Sequence, residues 1–232
     1  MRKGSTRHTH LAPKISPLAA GLILCLMILA GPAPAGLAAG NYPVTIAALK
    51  DAVRDEARAC QTYKAYSQKA YEENYSGIAR LFTALATSES IHAANFNTIL
   101  TDLGSTPPKI PAETMDVGST RANLKRATEV ELQEIDTKYP GILDRLAPEH
   151  HEAAMRFITY AWKAEQQHRA LIQKIRSATG FFFYLLARRI EDTKADFIVC
   201  QYCGSTLTAI PPDVCPICGK PATWYKKIEP PE

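Results

Sequence analysis

Apolar residues recur at steps of three and four along four stretches of this chain, and each stretch breaks its apolar stripe with acid. Residues 45–73 contain no Pro or Gly, and Leu49, Val53, Glu56, Cys60 and Tyr63 share one helical face. Residues 78–103 repeat the step with Leu85, Glu89, His92, Phe96 and Ile99 before Gly104 and Pro107-Pro108 stop it. The polar, proline-bearing stretch 104–118 is long enough to cross the end of a bundle. A third helix is expected over 119–138, with Leu124, Ala127, Glu131, Glu134 and Ile135 on one side and Pro140-Gly141 ending it. Pro148 suits the first turn of a fourth, which turns Ile158, Ala161, Trp162, Glu165, His168 and Ile172 inward and ends near Gly180.

Two hairpins joined by one long crossover make an all-α, ferritin-like four-helix bundle over residues 45–179. The repeat supports it: Glu56 precedes Glu89 by 33 residues and Glu131 precedes Glu165 by 34, so one hairpin is built twice. A lone Glu-x-x-His step is commonly a solvated helix-surface pair. Here Glu89/His92 and Glu165/His168 lie in phase with the apolar stripe and in register with Glu56 and Glu131. Several buried carboxylates repel one another and each costs several kcal/mol to desolvate, a penalty that two divalent cations largely remove. Oxygen-rich ligation with one imidazole per metal suits iron or manganese better than zinc. A Glu from each of two helices with Glu-x-x-His from the other two is the known pattern of ferritin-like di-metal proteins.

Glu134 gives the third helix a second carboxylate, either a rim salt-bridge partner or a surplus ligand that lets one metal change partners. Cys60 and Tyr63 follow Glu56 on its own face. Cys60 reads as a small core residue rather than a redox thiol, and Tyr63 as packing or as a hydrogen-bond donor behind the ligands. Trp162 reads as core, and His150 and His151 as solvated.

Past a linker at 180–196, the segment 197–232 is short and rich in Pro and Gly. Cys200-Gln201-Tyr202-Cys203-Gly204 and Cys215-Pro216-Ile217-Cys218-Gly219 are two C-x-x-C turns that bring four thiolates within tetrahedral reach of one metal, zinc or iron. The run Phe181–Ala187 is too short to cross a bilayer.

Charge and the first 39 residues fix the setting. Arg2, Lys3, Arg7 and Lys14, unopposed by acid, account for the whole formal charge of +4 and leave a neutral remainder with no nucleic-acid footprint. Their basic segment leads into the apolar run Leu18–Ala30 and then Ala33-Pro34-Ala35 and Leu37-Ala38-Ala39, an export signal with cleavage candidates. A retained N-terminal anchor is the competing reading; the run falls short of the roughly 20 residues that span a bilayer. Either way the chain is expected in the periplasm or cell envelope. Cys25 leaves with a cleaved signal, and Leu24 is too bulky for a lipoprotein site.

Taken together, Asp55-Glu56-Ala57-Arg58, Glu89-Ser90-Ile91-His92, Asn123-Leu124 ahead of Glu131-Leu132-Gln133-Glu134, Tyr139-Pro140, Glu165-Gln166-Gln167-His168 and Cys200 to Cys218 resemble the rubrerythrin family over roughly residues 45–228. The resemblance implies a di-iron bundle followed by a rubredoxin-like iron domain. It implies Glu89 and Glu165 as bridging carboxylates, Glu56 and Glu131 as terminal ones, His168 on one iron, and Glu134 exchanging with His92 on the other as the centre is reduced. The implied activity is reduction of hydrogen peroxide to water, with an electron-donor protein upstream. The implied assembly is a head-to-tail homodimer that sets one subunit's rubredoxin-like iron near its partner's di-iron site. This chain departs from the family's usual cytoplasmic location, and its linker is longer and more apolar. Two other functions remain open on sequence: a ferroxidase or iron-detoxification protein, and a structural bundle carrying a zinc ribbon.

Overall fold

A computed structural model describes residues 42–176 and 196–229; the export segment 1–39 and nearly all of the linker lie outside the described residues. The bundle comprises α1 (Pro43–Glu72), α2 (Ser76–Asp102), α3 (Thr120–Gln133), α4 (Tyr139–Leu146) and α5 (Glu152–Arg176). Among the described residues no helix is long and apolar enough to cross a membrane.

Helix ends follow local chemistry. Pro43 opens α1, where a missing N–H costs nothing, and the Glu149 carboxylate accepts from the N–H groups of Val44 and Thr45. Ser119 caps α3 by accepting from Ala122. Asn74 takes a left-handed turn (φ 62°) between α1 and α2.

The third rod corrects the expectation that Pro140-Gly141 ends it. A π-helical turn, Glu134–Lys138, joins α3 directly to α4, and the rod runs on to Leu146. Proline normally breaks a helix by removing a donor and clashing with the preceding turn. The wider turn moves the ladder by one: Tyr139 N–H bonds the Glu134 carbonyl, and the Ile135 carbonyl is left without a backbone donor. The Trp162 indole N–H supplies that bond at 2.9 Å from α5. Trp162 thus packs with the core as expected and also satisfies the break that Pro140 makes. Replacing it (Trp162→Phe) is expected to cost about 1–3 kcal/mol in urea unfolding, by orphaning that carbonyl.

The fourth rod is corrected as well. Pro148 lies in a single 3-10 turn, Ala147–Glu149, that His150 terminates with a left-handed φ of 51°, and α5 begins at Glu152.

Two apolar layers sandwich the acidic one. Tyr66, Leu81, Phe82, Leu85, Leu124 and Ile172 form one layer, and Leu49, Val53, Phe96, Leu100, Tyr139 and Ile158 the other. The stepped ligand positions of α1, α2, α3 and α5 fall between them.

The tail is a three-stranded antiparallel sheet in the order β2 (Thr206–Leu207), β1 (Ile198–Cys200), β3 (Tyr225–Lys227). It docks on α2 and α5 of its own chain. Phe197, Val199 and Ile228 join the Tyr66–Phe82 layer, and Asn95 Nδ2 donates to the Tyr202 carbonyl at 2.9 Å.

Candidate metal centres

Glu56, Glu89, His92, Glu131, Glu165 and His168 are all essentially sealed from solvent, none more than 3% exposed. Their ligand atoms fall into two groups, each within 4.8 Å: Glu56, Glu89, His92 and Glu165 in one, Glu89, Glu131, Glu165 and His168 in the other. The two carboxylates common to both groups are divided between them. Glu89 places Oε2 3.0 Å from His92 Nδ1 and Oε1 3.3 Å from His168 Nδ1. Glu165 mirrors it, with Oε1 3.4 Å from His92 Nδ1 and Oε2 2.9 Å from His168 Nδ1. Glu56 belongs only to the His92 side and Glu131 only to the His168 side. A pair of metals held here would have Glu89 and Glu165 within reach of both, Glu56 and Glu131 within reach of one each, and one imidazole apiece.

Tyrosines hold Glu131 and Glu56 from behind. Tyr63 donates to Glu131 Oε1 at 2.6 Å, and Tyr139 donates to Glu56 Oε1. Burial, reinforced by the neighbouring carboxylates, pushes both phenols well above their ordinary value, so each keeps its proton and remains a donor. Glu131 Oε2 and Glu165 Oε1 are buried without any hydrogen-bond partner. Orphaned, inward-facing carboxylate oxygens are what a divalent cation satisfies, and the donor set of four carboxylates and two imidazoles fits iron or manganese.

Protonation answers to the same crowding. Burial pushes the Glu131 carboxyl well up, and Glu165 and Glu89 push it further. For His168 burial acts downward, yet Glu165 and Glu89 outweigh it and raise the imidazole to about 10. His92 rises likewise, against burial, through its contacts with Glu165, Glu56 and Glu89. Burial and Glu89 press the Glu165 carboxyl upward, but His168 and His92 prevail and hold it below the usual carboxylate range.

Glu134 stands apart. It belongs to neither ligand group and instead accepts from Lys138 Nζ at 2.8 Å, while Lys138 also lies 3.2 Å from Asp55. Burial and the charge of Glu165 raise its carboxyl to about 8 despite Lys138. Glu134 and Lys138 line a cavity of about 200 Å³, together with Asp55, Arg58, Tyr63 and Arg126. The salt-bridge reading of Glu134 is the one observed, and its partner stands at the i,i+4 spacing that favours such a pair. Cys60 is buried in the core, and burial raises its thiol, which fits packing rather than redox chemistry.

In the tail, Cys200, Cys203, Cys215 and Cys218 bring their sulfurs within 4.8 Å of one another. The Cys203–Cys215 and Cys200–Cys218 edges measure 3.6 and 3.9 Å. Thiolates set tetrahedrally about 2.3 Å from a metal lie roughly 3.8 Å apart. Tyr225 donates to Cys215 Sγ at 3.2 Å, and this contact adds to those from Cys200 and Cys203 that hold the thiol far down.

The contact between the tail and the bundle is made by polar groups to which the sequence assigned no role. Ser88 Oγ donates to the Gly204 carbonyl at 2.7 Å, and Gln167 Oε1 accepts from Ser205 Oγ and Thr206 N–H, both at 3.0 Å. Gly204 takes φ 79°, and a Cβ there would stand 2.4 Å from His92 Nε2, so glycine is needed for this approach.

The rubrerythrin family pattern matches residues 47–176. Rubrerythrin-2 of Clostridium acetobutylicum is 33% identical over 175 residues, which cover 74% of this chain and 89% of that protein. Nigerythrin of Nitratidesulfovibrio vulgaris is 28% identical, with 78% of this chain and 85% of that protein covered. A solved structure of nigerythrin in its fully reduced, all-ferrous state superposes with a TM-score of 0.65 at 25% identity, covering 87% of this chain and 91% of that one.

Proposed function

The chain belongs to the rubrerythrin family, and from that premise we propose that it is a non-haem di-iron peroxidase of the cell envelope, reducing hydrogen peroxide to water with electrons received through a four-cysteine iron centre. The observation that carries the reading is the division of Glu89 and Glu165, each with one oxygen beside each imidazole, in the same chain as a closed four-thiolate cage.

Glu56, Glu89, His92 and Glu165 would hold one iron, and Glu89, Glu131, Glu165 and His168 the other. Ferrous ions bound there would supply the two electrons needed to cleave the O–O bond of peroxide. The residues supply the rest. Tyr63 and Tyr139 fix Glu131 and Glu56, so these two carboxylates keep their places as charge changes. The flanking apolar layers exclude water from the ligands. Reduction of peroxide also consumes two protons, and Glu134, buried beside the cavity and outside both ligand groups, is placed to deliver one. Held by Lys138 outside both ligand groups, Glu134 is in reserve for the exchange with His92 that the family resemblance implies.

Metal analysis of protein from its native host is expected to give about three irons per chain, two in the bundle and one in the tail. Its red ferric-thiolate colour should bleach with reductant and return with peroxide, and stopped-flow oxidation of the reduced protein should be far faster with peroxide than with dioxygen. Faster oxidation by dioxygen, with further iron accumulating per chain, would make it a ferroxidase; a colourless protein holding only zinc would leave the peroxidase reading without support.

A further inference from the structure

Both metal-ligating imidazoles point Nδ1 inward at carboxylates, and the tail packs against their outer edges. At His168 the contact is a hydrogen bond: Nε2 lies 3.2 Å from Thr206 Oγ1, and both side chains are buried. Thr206 Oγ1 also lies 3.0 Å from the Gly204 carbonyl oxygen, which has no proton to give. A hydroxyl carries one proton, so Thr206 donates it to Gly204 and must accept from His168 Nε2–H. The outer nitrogen therefore keeps its hydrogen, and the nitrogen whose lone pair is available to a metal is Nδ1, the one facing Glu89, Glu131 and Glu165.

Thr206 is itself held rigidly by the thiolate cage. It stands three residues after Cys203; Cys200 N–H bonds the Ser205 carbonyl and Gly204 N–H bonds the Cys200 carbonyl, both at 2.9 Å. Ser205 Oγ lies 2.8 Å from Tyr225 OH, which in turn lies 3.2 Å from Cys215 Sγ. From the other side, Gln167 next to His168 accepts from Thr206 N–H at 3.0 Å.

We propose that Thr206 is a positioning residue for His168, through which the four-cysteine tail presets one of the two metal-binding imidazoles of the bundle. Hydrogen bonds to the free nitrogen of a metal-bound histidine typically govern metal affinity by about 10–100-fold. The inference rests on the di-metal reading of the bundle, and the following test separates the two.

Full-length protein retaining its tail metal is titrated with Mn²⁺, which oxygen-rich sites accept and thiolate cages do not favour, and free ion is read by electron paramagnetic resonance. Wild type is expected to take up two Mn²⁺. Thr206→Val should weaken one of the two by about tenfold or more and leave the other within about twofold. Thr206→Ser, which keeps the hydroxyl, should restore wild-type binding, with Thr206→Ala repeating the loss if valine disturbs the strand. Ser205→Ala removes a docking bond but leaves the His168 contact, and should bind as wild type. Wild-type affinities in both Thr206→Val and Thr206→Ala, or a Thr206→Ser variant as weak as they are, would overturn the proposal while the di-metal reading stands. A wild-type protein that binds no pair of Mn²⁺ would overturn both.

Discussion

Stripping the metals from the bundle is expected to lower the midpoint of thermal unfolding by about 15–30 °C at pH 7 and to reverse its dependence on pH. With free metal about 1,000-fold above its dissociation constant, each site contributes about 4 kcal/mol, and 1 kcal/mol moves the midpoint of a chain this size by roughly 2–4 °C. The reversal comes from the protons. His168 is raised from 6.5 to about 10, so the stability it gives the metal-free fold is complete below pH 6.5 and is lost as pH rises through 10. Glu134 is raised from 4.5 to about 8; the folded chain binds more protons than the unfolded one across that window, so stability again falls as pH rises. Glu165, held low, acts in the opposite sense only below about 4.5. Metals compete with these same protons, so the loaded protein gains affinity, and with it stability, as pH rises. Circular dichroism melts of both forms at pH 5 and 9 check this. Equal midpoints, or a metal-free form that grows more stable toward pH 9, would mean that the acidic layer needs no cations.

Much of that layer was legible because helix period and burial are coupled: an acid in phase with Leu and Phe must go inside. Phase alone gathered Glu56, Glu89, His92, Glu131, Glu165 and His168, and the paired C-x-x-C turns gathered the four cysteines. Phase held for Ile135, which is buried, and failed beyond the turn Glu134–Lys138, since one π turn rotates every later residue relative to an α-helical count. For the same reason Tyr139, noticed only as part of a motif, gave no sign that it would donate to Glu56, and Pro140 read as a stop. What permits the proline is Trp162 on another helix, a tertiary fact invisible to local pattern. Ser88 and Thr206 carry no signature, and Gln167 entered only within a motif; they matter because the tail, Thr206 included, folds back against the bundle.

The division of the carboxylates carries a second large effect: Glu165→Ala should lose both bundle metals, whereas Glu56→Ala should lose one. Glu165 gives one oxygen to each side and has no substitute for either, since Glu89 alone would have to hold the pair together. Glu56 serves only the His92 side, and the donors of the other group, Glu89, Glu131, Glu165 and His168, stay intact without it. Because bound metals supply several kcal/mol of charge stabilisation and each 1.36 kcal/mol is tenfold in rate, peroxide turnover of Glu165→Ala should fall by about a thousandfold or more. Glu165→Gln keeps the volume and should lose metal just as fully, which separates ligation from packing. Iron counted on protein with an intact tail reads the result directly: about one per chain for either Glu165 variant, all of it in the tail, against about two for Glu56→Ala. One bundle metal retained in Glu165→Ala would mean that its two oxygens serve the same metal, and the two-sided geometry of the centre would have to be redrawn.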